Sequence, residues 1–405
     1  MPWRETCAMD ERVAFILAWR RSAEPMTVLC AAHGISRKTG YKWRDRFLSS
    51  GWPGLADASR APHRPGNELS AEVRAAIVAL RAERPFWGPR KLRAVLEERR
   101  AELAWPAPST IGDLLRREGL SAPRRRRRTA LPLTQPFLAA TAPNDVWCAD
   151  FKGWFRTGDR TRCDPLTITD AASRFLIDCR IVAPTIEGAA PVFEAAFRRH
   201  GLPRAIRSDN GAPFASIGAG GLTRLSVEWV KLGIRLERID PGCPQQNGRH
   251  ERMHGTLKAE TIRPPAATAA AQQARFDAWR DDFNIHRPHE ALAQTPPARR
   301  YRPALRRHPG AAPEPSYAAD HAVRRVRSNG EIKWGGELVF VSEALVGEPV
   351  GITETESGAW LVRFCDVDLG LIDRRTHKLR RFAAGRPARR KAEQTGTTVT
   401  HVSGL

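Results

Sequence analysis

Three acidic residues stand in contexts where chemistry would be expected. Asp150 sits in the run Val146-Trp147-Cys148-Ala149-Asp150-Phe151, and Asp209 in Arg207-Ser208-Asp209-Asn210-Gly211. Glu251 closes Pro244-Gln245-Gln246-Asn247-Gly248-Arg249-His250-Glu251. Three carboxylates gathered on one apolar scaffold bind hard cations. Two Mg²⁺ ions held that way, with Mn²⁺ able to substitute, activate a hydroxyl and stabilise the leaving oxygen of a phosphodiester. Each acid alone also has a plain reading: an edge-strand polar group, a turn former before Asn-Gly, and a solvated helix face.

To act together the acids need elements that converge. Val146–Phe151 reads as a strand, and Ala205–Asp209 as another that ends on the second acid. Leu166–Asp170 and Phe175–Val182 read as a hairpin. Thr185–His200 is an amphipathic helix, Leu225–Leu232 is helical and Ile234–Ile239 is a short strand. A helix after Pro244 runs through Glu260, and a last one spans about Ala270–Asn284. Strands followed by alternating strands and helices give a mixed α/β sheet. Helical spacing places Asn247, Glu251, His254 and Lys258 on one face, so Asn247, His254 and Lys258 are expected to contact phosphate beside Glu251.

The rest of the chain looks like equipment for holding a polyanion. Among 405 residues, 66 are Lys or Arg and 44 are Asp or Glu, a formal charge of +22. That excess favours nucleic acid. No apolar run is long enough to span a bilayer, and the first residues lack a signal-peptide core, so no membrane role is expected. Seven scattered cysteines fit a reduced, cytoplasmic protein. Cys30-x-x-His33 has no second ligand pair at zinc-finger spacing.

Helices dominate the first third. Asp10–Arg21, Met26–His33 and a third helix capped by Ser36 form a helix-turn-helix pattern around Gly34. There Ile35, Tyr41 or Trp43, and Phe47 should pack inward, while Arg37, Lys38, Lys42 and Arg46 face DNA. A second helical unit carries Trp87-Gly88-Pro89-Arg90-Lys91-Leu92, with Arg90 and Lys91 opening a helix near a phosphate. Arg124, Arg125, Arg126, Arg127 and Arg128 are consecutive. Mutual repulsion should extend them along a DNA backbone or groove. Beyond a Pro- and Ala-rich stretch, short alternating runs from Val323 to Asp373 predict a small β-barrel with a basic surface. The tail after Ala384 has little apolar content.

These motifs resemble the transposases of bacterial insertion sequences with a retroviral-integrase-type core. The resemblance lies in Ser208-Asp209-Asn210-Gly211-x-x-Phe214, in Pro244-x-x-Asn247-Gly248-x-x-Glu251, and in Phe283-Asn284-x-x-Arg287-Pro288-His289-Glu290-Ala291-Leu292. It implies a ribonuclease H-like core with Asp150, Asp209 and Glu251 as catalytic metal ligands. It also implies double-stranded DNA partners, both element ends and target, and a homo-oligomer in a bacterial, nucleoid-associated setting. The expected activity is metal-dependent cleavage at terminal inverted repeats, followed by joining of the 3′-hydroxyls to target DNA. Two departures stand out. The interval of 41 residues between Asp209 and Glu251 is long, with Ser216–Gly221 looking like an inserted loop, and helix-turn-helix units replace an N-terminal zinc module.

The expected fold is multidomain: all-α helix-turn-helix modules at 1–66 and 67–122, a linker at 123–143 and a ribonuclease H-like core at 144–301. A second linker at 302–319, a β-barrel at 320–383 and a disordered tail at 384–405 follow. Two rivals share some of these features. One is a DNA-binding regulator that no longer cuts, against which the intact triad argues. The other is a nuclease of RNA–DNA hybrids, which needs neither helix-turn-helix modules nor a C-terminal domain.

Overall fold

The computed structural model describes residues 7–57, 69–121, 139–240 and 248–382. The chain divides into two compact units, one through Ser70 and one from Ala71 onward.

The first unit holds α1 (Ala8–Arg21), α2 (Met26–Ala32) and α3 (Arg37–Ser50). Ser36 caps α3 by accepting from the Thr39 amide at 3.2 Å. Phe15, Ile16, Leu29, Cys30, Trp43 and Leu55 form its core. Helices α2 and α3 approach closely because residue 40 is glycine; a Cβ there would lie 2.4 Å from Cys30 Sγ. Cys30 is thus a packing residue, with no disulfide among the described cysteines.

The second unit opens with α4 (Ala71–Glu83), α5 (Pro89–Arg99) and α6 (Pro108–Arg117). Ile77, Leu80, Trp87, Leu92, Ile111 and Leu115 are buried among them. The central sheet follows, built from β1 (Val146–Phe151), β4 (Pro165–Asp170), β5 (Leu176–Ile181), β6 (Ala205–Ser208) and β7 (Arg235–Arg238). A small hairpin, β2 (Phe155–Arg156) and β3 (Arg162–Cys163), interrupts the run after β1. Sheet order is β5-β4-β1-β6-β7, antiparallel through the first three strands and parallel from β1 to β7. This is the expected mixed sheet, and it sets the first two acid-bearing strands side by side.

Helices α7 (Ile186–His200) and α8 (Arg224–Lys231) contribute Phe193, Phe197 and Trp229 to a core with Trp147, Leu166 and Ile206. Helix α9 (Gly248–Leu257) runs into a π-helical turn, Lys258–Ile262, and then α10 (Ala269–Ile285). Met253, Leu257 and Ile262 pack on Phe276, Trp279 and Phe283. A short α11 (Pro297–Arg300) ends this region.

The segment expected to be a linker lies on the core. Arg306 donates to the Gly233 and Pro203 carbonyls at 3.0 and 2.5 Å, and Tyr317 Oη donates to Pro349 O at 2.8 Å. The C-terminal region is sheet-rich, but no closed barrel forms among the described residues. It comprises β8 (Ala322–Arg325), the hairpin β9 (Glu331–Trp334) and β10 (Glu337–Phe340), then β11 (Pro349–Glu354), β12 (Trp360–Phe364), β13 (Val367–Ile372) and β14 (Leu379–Arg381). Five strands pair as β14-β13-β12-β11-β8, and β9–β10 pair separately. Two hydrogen-bonded sheets of five and two strands leave edges that a barrel would have closed.

The inserted loop between the second and third acids docks here. Ala219 and Leu222 are fully buried in one cluster with Val227, Val230, Val350, Phe364 and Leu369. Gly220 turns with φ +64°, and a Cβ on it would stand 3.0 Å from Val367 Cγ1. Full burial of an aliphatic side chain is worth roughly 1.5–3 kcal/mol. A chain ended at Ala319 is therefore expected to expose Leu222, Val227 and Val230. It should bind a hydrophobic dye more strongly and precipitate at concentrations where the full chain stays dispersed; unchanged dye binding and light scattering would contradict this.

Candidate active site

Asp150 lies near the end of β1, paired across to Thr167 of β4. Its side chain is about a quarter exposed, at 25%. Burial raises its pKa to about 7, with further increments from the negative charges of Asp209 and Glu251. Asp209 follows β6 immediately, and its Oδ1 accepts from the Gly211 amide at 3.2 Å. Beneath it, Arg207 donates to Glu237 Oε2 at 2.9 Å in a buried ion pair between β6 and β7. Asn210 Nδ2 donates to Ile239 O at 2.6 Å, tying the Asp209 loop to the strand beside it. Glu251 occupies the first turn of α9 and is exposed. Helix N-terminal charge favours a carboxylate there.

The underside of α9 is a polar knot. Thr167 Oγ1 lies 2.7 Å from His250 Nε2 and 2.6 Å from His254 Nε2. Thr169 Oγ1 meets His250 Nδ1 at 2.9 Å. Burial holds both imidazoles neutral, pushing His250 down to about 3 and His254 to about 2. His254 Nδ1 faces Asp150 Oδ2 at 3.8 Å. Asp150, His250 and His254 bring potential ligand atoms within 4.8 Å of one another. Both nitrogens of His250 are engaged by threonine hydroxyls, so Asp150 and the inner edge of His254 are the atoms left to face an ion. A carboxylate oxygen and an imidazole nitrogen are donors a divalent cation accepts, and its charge would offset the burial and the carboxylate repulsion that raise Asp150.

Two lysines approach the same place. Lys152, two residues past Asp150, has its pKa lowered by burial and by the charge of Lys258, against the pull of Asp150. Lys258 is exposed at the start of the π-helical turn.

The integrase core domain family matches residues 140–244 and, through a second description of that core, 232–297. A helix-turn-helix domain matches 11–63, a homeodomain-like domain 39–115, and the IS481 family transposase C-terminal domain 321–380. The insertion element IS407 uncharacterized 31.7 kDa protein of Burkholderia multivorans is 34% identical over 238 residues, covering 57% of this chain and 80% of its own length. The chain belongs to the insertion-sequence transposases with an integrase-type core. The IS476 uncharacterized 39.2 kDa protein of Xanthomonas euvesicatoria is 34% identical over 182 residues, covering 43% of the transposase and 50% of that protein. The HTLV-2 integrase catalytic core domain in complex with magnesium aligns with 40% of this chain and 98% of its own, at 15% identity and a TM-score of 0.32.

Other residues singled out in the transposase sequence fall in distinct places. Arg37, Lys38 and Lys42 are exposed on α3, and Lys42 Nζ stands 4.9 Å from the Trp43 ring centroid. Arg46 turns back on its own unit and donates to Ala56 O at 2.6 Å. Trp43 is buried and Tyr41 is exposed, which resolves which of the two packs inward. Arg90 pairs with Glu290. Lys91 is half-buried, and burial together with Arg287 lowers its pKa to about 7. His254 points inward rather than outward with Glu251. Arg124 to Arg128 and Asn247 lie outside the described residues.

Sequence reasoning missed Thr167, Thr169, His250 and Lys152. The signal was present: Thr167 and Thr169 share one face of β4 at strand period, and His250 and His254 share one face of α9 at helical period. It also missed that the Trp87–Leu92 and Arg287–Glu290 motifs meet through Arg90 and Glu290, with Arg84 pairing with Asp282 at 2.6 Å and Glu98 with Arg299 nearby.

Two outcomes follow from this geometry. Thr167→Val strands two buried imidazoles and should cost on the order of 1–3 kcal/mol, while Thr167→Ser should be close to wild type; equal melting of the two variants would contradict the knot. Asp150 has a folded pKa above its unfolded value, so its favourable contribution holds below about pH 4 and is lost as pH rises through about 7. Asp150→Asn should therefore raise the melting temperature of metal-free protein at about pH 8 and not at about pH 4. Added Mg²⁺ should narrow the gap by stabilising the wild type.

Proposed function

We propose that this transposase cuts the ends of its element and joins them to target DNA, with Asp150, Asp209 and Glu251 holding two Mg²⁺ ions. What supports this reading is that Asp150 on β1, Asp209 after β6 and Glu251 on α9 lie near enough for the charges of the other two to add to burial in raising Asp150. The first two strands are adjacent and parallel, and Asp150 responds to both other carboxylates. Such ions, when bound, supply Lewis-acid activation of the attacking hydroxyl and charge for the leaving oxygen.

The chain's own residues do the rest. Lys152 and Lys258 bring positive charge beside Asp150 and hold the phosphate against the carboxylates. The neutral imidazoles of His250 and His254 fix α9, and so Glu251, without adding charge at the site. Attack by water releases a 3′-hydroxyl, and the same pocket then presents that hydroxyl to a target phosphodiester. No covalent enzyme intermediate is required. Exposed Arg37, Lys38 and Lys42 on α3 contact the terminal inverted repeats. Their affinity should fall steeply with salt as counterions are released. Joining needs two ends at once, so a dimer or larger homo-oligomer carries out the reaction.

The test is a cleavage and strand-transfer assay on end-containing DNA with Mg²⁺. Asp150→Asn, Asp209→Asn and Glu251→Gln should each abolish both steps and leave end binding intact. Substantial activity in any one of them removes that residue from the triad. Wild-type protein that binds ends but never nicks them would favour the regulator reading.

A further inference from the structure

An exposed tryptophan stands beside the site. Trp154 is 57% exposed. It is four residues past Asp150, so its Cα lies within about 14 Å of chain from that carboxylate's backbone. Two guanidinium groups flank the ring: Arg156 Cζ is 5.7 Å and Arg162 Cζ 5.4 Å from its centroid. Both are held by other partners. Arg156 donates to Arg160 O at 2.7 Å, and Arg162 donates to both oxygens of Asp164 at 2.8 and 2.9 Å.

The hairpin that carries them is anchored. Gly158 and Asp159 amides donate to Ala266 and Ala267 carbonyls at 2.9 and 2.8 Å. Phe155 packs edge-on to Phe276 at 6.2 Å. The sequence therefore spends one aromatic, Phe155, on the core and turns its neighbour out to solvent. A large apolar ring kept exposed on an anchored hairpin presents its face to whatever approaches from solvent. Flanked by Arg156 and Arg162, it has the composition of a stacking platform for a nucleobase beside a phosphate backbone.

We propose that Trp154 stacks on an unpaired base within one to three nucleotides of the phosphodiester held at Asp150, with Arg156 contacting the adjoining phosphate. The bound species is a DNA strand locally opened at the reaction site. This rests on the DNA-cutting reading above and adds to it that the duplex is opened there.

The experiment uses the full chain and two synthetic forms of one end-containing duplex, one fully paired and one forked by mismatches at its terminal positions. Each carries 2-aminopurine at an unpaired or corresponding paired position. Wild-type protein should bind the forked DNA more tightly and quench its 2-aminopurine. Trp154→Ala should lose the quenching and weaken forked-DNA binding by roughly tenfold, since base stacking on an aromatic is typically worth a factor of that order. Its binding to paired DNA should be unchanged. Trp154→Phe should restore most of the effect, and forked substrate should rescue cleavage by Trp154→Ala relative to paired substrate. Trp154→Ala that matches wild type in quenching and affinity on forked DNA overturns the stacking site while leaving the cutting reading intact. Wild-type protein that cuts neither DNA overturns the cutting reading and the stacking site with it.

Discussion

Everything at the site hangs on one hydroxyl. Thr167 sits on β4, across from Asp150, and its oxygen meets both buried imidazoles of α9. The helix that carries Glu251 is located by what lies beneath it. Apolar packing by Met253 and Leu257 supplies attraction without direction. The Thr167–His250–His254 contacts supply direction, because hydrogen bonds weaken steeply when misaligned. A rotation of α9 that moved Glu251 would strand two buried ring nitrogens, and that cost fixes the helix's angle about its axis.

A second tie reaches the same helix from further away. The π-helical turn after α9 carries Glu260, which accepts from Arg287 Nη1 at 2.7 Å and from Trp279 Nε1 at 2.7 Å. Lys91 of α5 lies within the electrostatic reach of this pair. Surface ion pairs contribute little individually, and those linking α4 and α5 to the α10 region are partly exposed. The Arg287–Glu260 pair is buried, at 7% and 11% side-chain exposure, and losing either partner would leave a charge without compensation. The helical module and the turn that ends α9 thus share a network rather than a flexible joint.

Much of this was legible in the chain. The periods of the core segments gave its strands and helices and hence a mixed α/β sheet, while the order of its strands came only with the structure. The capped turn at Ser36 marked α3, and Trp43 was one of two residues expected to pack inward. What the sequence could not show was depth. Helical spacing placed His254 with Glu251, yet His254 is 6% exposed and Glu251 faces solvent. A face one residue wide cannot be told from its neighbour by period alone, and the π-helical turn shifts the angular position of every residue after Leu257. Arg90 and Lys91 carried charge, which by itself does not distinguish a phosphate partner from Glu290 or Glu260. The C-terminal strands were readable one by one; whether their edges close depends on long-range pairing that alternation does not encode.

The loop at Ser216–Leu222 has a consequence for how such proteins are assembled from parts. It belongs by sequence to the catalytic core, and by packing to the sheet that follows it. Its Ala219 and Leu222 are wholly enclosed, and at Gly220 the packing leaves no room for a larger side chain. The C-terminal sheet therefore cannot be transplanted between relatives as a self-contained cassette. The smallest transferable piece is the sheet together with an island of residues more than a hundred positions upstream, and a boundary drawn at the last core helix would cut through a shared interior.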